Sequence, residues 1–365
     1  MQTEDKTHSP WAQGDTIAVR VRRWRQRSPM WWFLPGSLGL FGCTLLVGAV
    51  TLGVFGNRQP LGNDRPAPSV NTTTSAPAEG IPGSTALAAV SSPVGNAGPK
   101  PTTILLLGSD RRPGDGTVGR TDSLHVVSID PDGQGVGVLS LPRDLYVNVP
   151  GRGRDRINLV FAYGVSDGGS GGETLLRRTF ADNFGLQLDH YIFVDFTIFV
   201  TVVDRIGGID VNVPYTIDDP LYPDDEFGYA PFHLDAGLQR LDGATALKYV
   251  RTRHETNDFY RARRQQQVML AVRDRVLDFN LLPGLISQIP TLWSTLNNGY
   301  RTDLTPEQAA ALALQLKDVA EADIRLGVVD ESASLDYVTP EGASVLVPDT
   351  AKVAALINST LYPVP

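Results

Sequence analysis

Sulfur chemistry is nearly absent from this chain. Cys43 is its single cysteine among 365 residues and sits in an apolar run, so the polar remainder has no disulfide and no cysteine-based metal site. That absence leaves the redox compartment open. His125, His190, His233 and His254 show no ligand spacing. The glycine-rich stretch 168–172 lacks the Lys-Ser/Thr pair of a phosphate-cradling P-loop and reads as a flexible loop. A basic balance is also missing: the formal net charge is -8, and such a chain repels nucleic acid, which is excluded as its main partner.

Charge itself is absent from Pro29 to Asn57, where WWFLPGSLGLFGCTLLVGAVTLGVF is long enough to cross a bilayer. Arg20, Arg22, Arg23, Arg25 and Arg27 precede this run, and Trp31 and Trp32 stand where an aromatic belt belongs. The expectation is a cytoplasmic basic tail over 1–30 and a transmembrane helix over 31–56, with everything later outside the cell. A cleaved signal peptide is the rival, but the run exceeds a usual apolar core and no A-x-A site follows it closely. Residues 57–100 are rich in Pro, Gly, Ser, Thr, Ala and Asn and read as a disordered tether. The first thirty residues hold six of the 32 basic and three of the 40 acidic side chains, which leaves the rest of the chain at net -11.

From residue 101 onward, strand and helix patterns alternate without an internal repeat. The apolar run Thr103–Leu107 reads as a buried central strand, followed by strands at Ser123–Ile129, Val136–Leu141, His190–Asp195, Ile209–Val213 and Ile324–Val329. Helices are expected at Glu173–Asn183, Phe196–Ile206, Gly243–Tyr249, Arg261–Phe279, Thr305–Val319 and Thr350–Ser359, and Pro214–Pro231 reads as a long acidic, aromatic loop. The fold class is α/β: a three-layer α-β-α sandwich with a mixed central sheet, whose sites form at carboxyl ends of strands.

Against this acidic background, Tyr249–Gln267 (YVRTRHETNDFYRARRQQQ) reverses the local sign. Arg251 and Arg253 share one side of an extended backbone. Asp258, Arg261 and Gln265 share one helical face, and Arg263 falls off it. Three earlier strand termini set Asp beside Arg: Asp110 with Arg111, Arg120 with Asp122, and Arg143 with Asp144. Asp110 and Asp122 can share a hard divalent cation, while Arg120, Arg143, Arg251, Arg253, Arg261 and Arg264 can grip an anion. Each pair by itself is equally an ordinary surface salt bridge; together they describe a pocket for a metal-bound pyrophosphate.

The blocks TILLLGSDRR, VGRTDSLHVVSID, VLSLPRDLYVNVPG, DRIN, VDFTIFVTVVDRIGGIDVNV, LDGATALKYVRTR and DFYRARRQQQ occur in order, and over roughly Thr102–Arg275 the chain resembles the catalytic domain of the LytR–CpsA–Psr family of cell-envelope phosphotransferases. The resemblance implies a catalytic domain over 101–365. It also implies transfer of a glycopolymer from a polyprenyl-pyrophosphate carrier to a peptidoglycan hydroxyl, with Mg2+ assistance. Carried over by motif, Asp110 and Asp122 hold the metal, and Arg120, Arg143, Arg251, Arg253, Arg261 and Gln265 line the pyrophosphate, with Arg156 and Arg264 beside them. Asp258 or Asp144 is the base or an orienting carboxylate. Arg156 stands where relatives often carry Lys, and Tyr260 where they often carry Gly. Phe193, Phe196, Phe199 and Val203 either help line a tunnel for the polyprenyl tail or are ordinary core. Two rival functions share the same residues: a pyrophosphate hydrolase, and a non-enzymatic transcriptional attenuator, which needs a cytoplasmic DNA-binding part that the sequence does not offer.

Overall fold

Alternate side chains of the first strand enter two different cores. In the computed structural model, which describes residues 100–110, 119–168, 171–223, 228–252, 258–278, 280–285 and 300–362, β1 (Thr102–Ser109) is apolar on both faces because it lies inside the sheet. Ile104 and Leu106 join one core, and Leu105 and Leu107 the other. The predicted tail, span and tether at 1–30, 31–56 and 57–99 lie outside the described residues. Among those that are described, no helix is long and apolar enough to cross a membrane.

Beside β1 run β2 (Thr121–Ile129) and β3 (Val136–Leu141), then β4 (Tyr146–Val149), β5 (Gly153–Arg156), α1 (Val160–Ser166), α2 (Gly172–Phe184), β6 (His190–Asp195), α3 (Phe196–Arg205) and β7 (Ile209–Val213). There follow β8 (Ile217–Asp219), β9 (Phe232–Leu234), β10 (Gly237–Leu241), α4 (Gly243–Arg251), α5 (Asp258–Asp278), β11 (Tyr300–Thr302), α6 (Pro306–Leu316), β12 (Ile324–Val328), β13 (Ser334–Val338), β14 (Ser344–Pro348) and α7 (Thr350–Leu361). The central sheet has the order β11-β6-β1-β2-β3-β12. It is mixed: β1 is parallel to β6 and antiparallel to β2, and β3 is antiparallel to β2 and parallel to β12. Val202, Ala246, Val268 and Ala309 of α3 to α6 pack on one face, and Phe161, Phe180 and Ile357 of α1, α2 and α7 on the other.

Helix starts follow local chemistry. The carboxylates of Asp195, Asp242 and Asp349 accept the backbone N–H of Ile198, Thr245 and Lys352, capping α3, α4 and α7. Thr305 and Gln308 form a reciprocal capping box at α6.

Several expectations need correction. Pro214–Pro231 contains β8, which pairs with β9 at Ile217–Leu234 and Asp219–Phe232. Two further hairpins, β4–β5 and β13–β14, were not expected. Arg251 closes α4 instead of lying in extended chain; extended backbone begins only at Thr252, with ψ 142°. Arg253 and His254 lie outside the described residues.

Candidate functional site

Strand β2 runs against its neighbours, so its amino end lies beside the carboxyl ends of β1 and β3. Gly108 pairs with Ser123, Ser109 with Thr121 and Leu124 with Leu141. The two strands meet closely: a Cβ on Gly108 would fall 2.9 Å from that of Ser123, which demands glycine there. This register gathers Asp110, Asp122, Ser123 and Arg143 at one sheet end, although 33 positions of sequence separate the outer two.

A cavity of about 530 Å³ opens there. Its charged and polar lining includes Asp110, Asp122, Arg143, Arg251, Arg261 and Gln265. Its apolar lining includes Ile192, Val194, Phe196, Phe199, Val268 and Met269.

Arg143 is the hub of the charged lining. It donates to Asp122 Oδ1 at 2.9 Å, and its Nε lies 3.4 Å from both Asp144 Oδ2 and Asp258 Oδ2. Burial opposes its charge, but Asp122, Asp258 and Asp144 outweigh that and hold its pKa above the ordinary value. Arg261, buried on α5, donates to Asp258 Oδ2 at 3.1 Å and to the Asp122 carbonyl at 3.4 Å. Arg251 reaches in from the end of α4. Its guanidinium lies 4.4 Å from the Phe196 ring centroid and donates to Tyr222 Oη at 3.0 Å. Tyr222 and the buried Asp219 come from the β8–β9 segment, and Asp219 accepts from Thr252 Oγ1 at 2.5 Å.

Burial, then the neighbouring Asp122 charge, push the Asp110 carboxyl above its ordinary pKa despite the pull of Arg120 and Arg251. Two neighbouring carboxylates that repel one another form a donor set for a hard cation. Among the described residues no group of three or more His, Cys, Asp or Glu could hold a metal. A two-carboxylate set fits Mg2+, which keeps several waters and completes its shell with phosphate oxygens.

Of the expected site residues, the structure brings Asp110, Asp122, Arg143, Arg251, Arg261, Gln265, Phe196 and Phe199 to the cavity wall. Others stand elsewhere. Arg264 is 2% exposed and donates to Tyr215 Oη at 3.2 Å and to the Thr252 carbonyl, so it ties α5 to the preceding chain. Phe193 points to the opposite core and stacks on Phe161 at 4.9 Å, because it alternates on β6 with the wall residues Ile192 and Val194. Val203 is fully buried in the core beneath. Asp144 lies between Arg143 and Arg156 Nε, the latter at 3.3 Å, and Arg156 also donates to the Ser344 carbonyl, so this pair faces β14. Asp258 braces Arg143 and Arg261 from outside the wall. Arg120 is exposed beside Asp110, whose N–H it accepts through its carbonyl.

Sequence reasoning missed Asp219, Tyr222 and His125. His125 is 4% exposed, and burial drives its pKa down to about 4. Its ring contacts Ser123 Oγ and Ser140 Oγ, each at 2.7 Å. The signal for it was strand periodicity: Ser123 and His125 are two apart and share a face of β2.

The LytR_cpsA_psr family model matches residues 70–360. The polyisoprenyl-teichoic acid–peptidoglycan teichoic acid transferase TagU of Oceanobacillus iheyensis is 35% identical over 211 residues, covering 57% of this chain and 61% of that protein. The regulatory protein MsrR of Staphylococcus aureus is 30% identical over 226 residues, 61% of this chain and 62% of that protein. The chain thus spans about three fifths of the length of these relatives. The crystal structure of B. subtilis TagV is 27% identical with a TM-score of 0.56, covering 73% of this chain and 100% of the other. TagT bound to LIIa-WTA is 25% identical with a TM-score of 0.56, covering 73% and 94%.

Proposed function

Since the chain belongs to the LytR–CpsA–Psr family, we propose that it is a phosphotransferase that moves a glycopolymer from a polyprenyl-pyrophosphate carrier to a peptidoglycan hydroxyl. The observation that carries this reading is a cavity whose lining joins arginines and paired carboxylates with a set of apolar side chains. A lipid pyrophosphate needs both kinds of lining. The name of TagU gives a polyisoprenyl-linked donor and a peptidoglycan acceptor, and TagT was solved bound to LIIa-WTA.

In this reading Arg143, Arg251 and Arg261 neutralise the pyrophosphate oxygens, and Gln265 adds a neutral donor. Phosphoryl transfer asks a protein mainly for position and charge compensation, and three arginines braced by Asp122, Asp258 and Tyr222 supply both. Asp110 and Asp122 would hold Mg2+, which would add positive charge at the transferred group. Asp144 and Asp258 orient arginines instead of taking the acceptor's proton, since each is engaged by two guanidinium groups. Phe196 and Phe199 receive the first isoprene units.

The expected organisation is an N-terminal membrane span over 31–56, a tether over 57–100 and a catalytic domain over 101–365 outside the cytoplasm. The test supplies a lipid-linked glycopolymer and peptidoglycan fragments to the full chain with Mg2+. Polymer joined to glycan is the expected product. Free polymer alone would replace transfer with hydrolysis.

A further inference from the structure

Five polar side chains form a continuous line between α5 and one face of the sheet, from β3 and β12 to the cavity, and counting their protons gives the line a direction. Gln266, 4% exposed, has its Nε2 2.8 Å from the Gly327 carbonyl, 2.8 Å from Ser140 Oγ and 3.4 Å from the Val138 carbonyl. All three neighbours accept, so the amide nitrogen is the atom that faces them. Ser140, fully buried, therefore accepts from Gln266, and its own proton needs an acceptor. His125 Nδ1 lies 2.7 Å away and provides it. An imidazole that accepts at Nδ1 carries its proton on Nε2, and Nε2 stands 2.7 Å from Ser123 Oγ. Ser123 then receives from His125 and donates to Gln265 Oε1 at 3.2 Å. With its oxygen engaged in this way, Gln265 keeps its amide nitrogen for the cavity that it lines.

We propose that His125, Ser140 and Gln266 are positioning residues, a one-way hydrogen-bond chain that fixes Gln265 with its side-chain NH2 turned into the cavity as a donor to a phosphate oxygen. The inference rests on the pyrophosphate reading of the site and deepens it. It also settles what His125 does not do. A histidine 2.7 Å from a serine in a cavity invites a nucleophile–base pair. Here the ring donates to Ser123, so it cannot take that serine's proton without stranding the Ser140 hydroxyl in the core. An amide without this chain is free to present either end. Half of its orientations put an oxygen against an anion, which the chain forbids.

The test uses the full chain in detergent and farnesyl pyrophosphate as the probe. His125→Leu should weaken probe binding by about tenfold in titration calorimetry. In a Gln265→Ala background the same change should matter by less than about twofold, because there is no amide left to orient. His125→Gln carries an acceptor and a donor on one side chain and should restore most of the affinity. Ser140→Ala breaks the same chain without a bulky replacement and serves if His125→Leu does not fold. Equal weakening in both backgrounds would reduce the chain to scaffolding and overturn the proposal. So would loss of turnover with binding intact, which would make His125 a base. A separate readout is the imidazole nitrogen spectrum of chain labelled with 15N-histidine. The proton should be on Nε2 of His125, and a proton on Nδ1 would reverse the direction and sink the idea. If the native chain does not bind farnesyl pyrophosphate at all, the proposed function fails, and the tautomer still decides the chain's direction.

Discussion

Arg261 and Arg264 stand three residues apart on α5 and have opposite fates. Arg261 faces the cavity, while Arg264 is spent on Tyr215 and the Thr252 carbonyl inside the core. Arg264→Ala should therefore cost about 3 kcal/mol in denaturant unfolding, since it removes charged hydrogen bonds and leaves a buried hole. Arg143→Ala should instead abolish transfer and probe binding while the fold persists, checked by turnover and circular dichroism on one preparation. A pH effect follows from His125, whose folded pKa of about 4 lies below its ordinary 6.5. The neutral ring is favoured in the fold, so its stabilisation is full above pH 6.5 and is lost as pH falls toward 4. The amount is on the order of 3 kcal/mol, and melts of His125→Gln should show a shallower loss over that window. Single residues were only partly legible in the sequence. Asp110, Asp122, Arg143 and Arg251 announce themselves by sitting at element ends. Arg264 and Phe193 mislead because a charge or ring in a motif does not say which face it takes; for Phe193 the face changes where strand gives way to helix at Asp195.

At the scale of elements, α4 decides where Arg251 is. Its first residue, Gly243, crosses α3 so closely that a Cβ would lie 2.3 Å from the Val200 carbonyl. Gly243→Ala should push α4 outward, destabilise by about 1–3 kcal/mol and weaken pyrophosphate binding, because Arg251 moves with the helix; calorimetry and thermal melts report both. The β8–β9 hairpin is the other element that shapes the site, through Tyr222. Tyr222→Phe should leave the hairpin folded and lower affinity by several-fold by freeing one guanidinium N–H of Arg251. The long strands and helices were readable from apolar periodicity. The hairpin was not, because one of its inward positions is Asp219, a carboxylate that a hydropathy pattern counts as exposed and that Thr252 keeps buried. β4–β5 escaped for a related reason: its second strand, Gly153–Arg156, is almost wholly charged.

For the molecule as a whole, the sheet order explains why acidic and basic blocks far apart in sequence meet, and that order could not be read from periodicity, which gives strands and not their neighbours. The proposed function makes one further whole-molecule prediction. Lipid pyrophosphate at a hundred times its dissociation constant should stabilise the described domain by about 2.7 kcal/mol, seen as a rise in melting temperature that Arg143→Ala abolishes. The closing helix α7 carries a different implication. Ser128 near the carboxyl end of β2 donates to the carbonyl of Leu361 at 2.8 Å, and Arg325 on β12 donates to that of Thr360 at 3.0 Å while pairing with Asp130 beyond the end of β2. Residues 233 positions apart thus share a bond beneath the very strand that delivers Asp122. A chain emerging amino end first displays its acidic and basic motifs long before their support exists. Pairings this distant make folding slow, so the nascent domain spends an interval with β2 half-covered, open to proteases and to helpers alike, until α7 arrives.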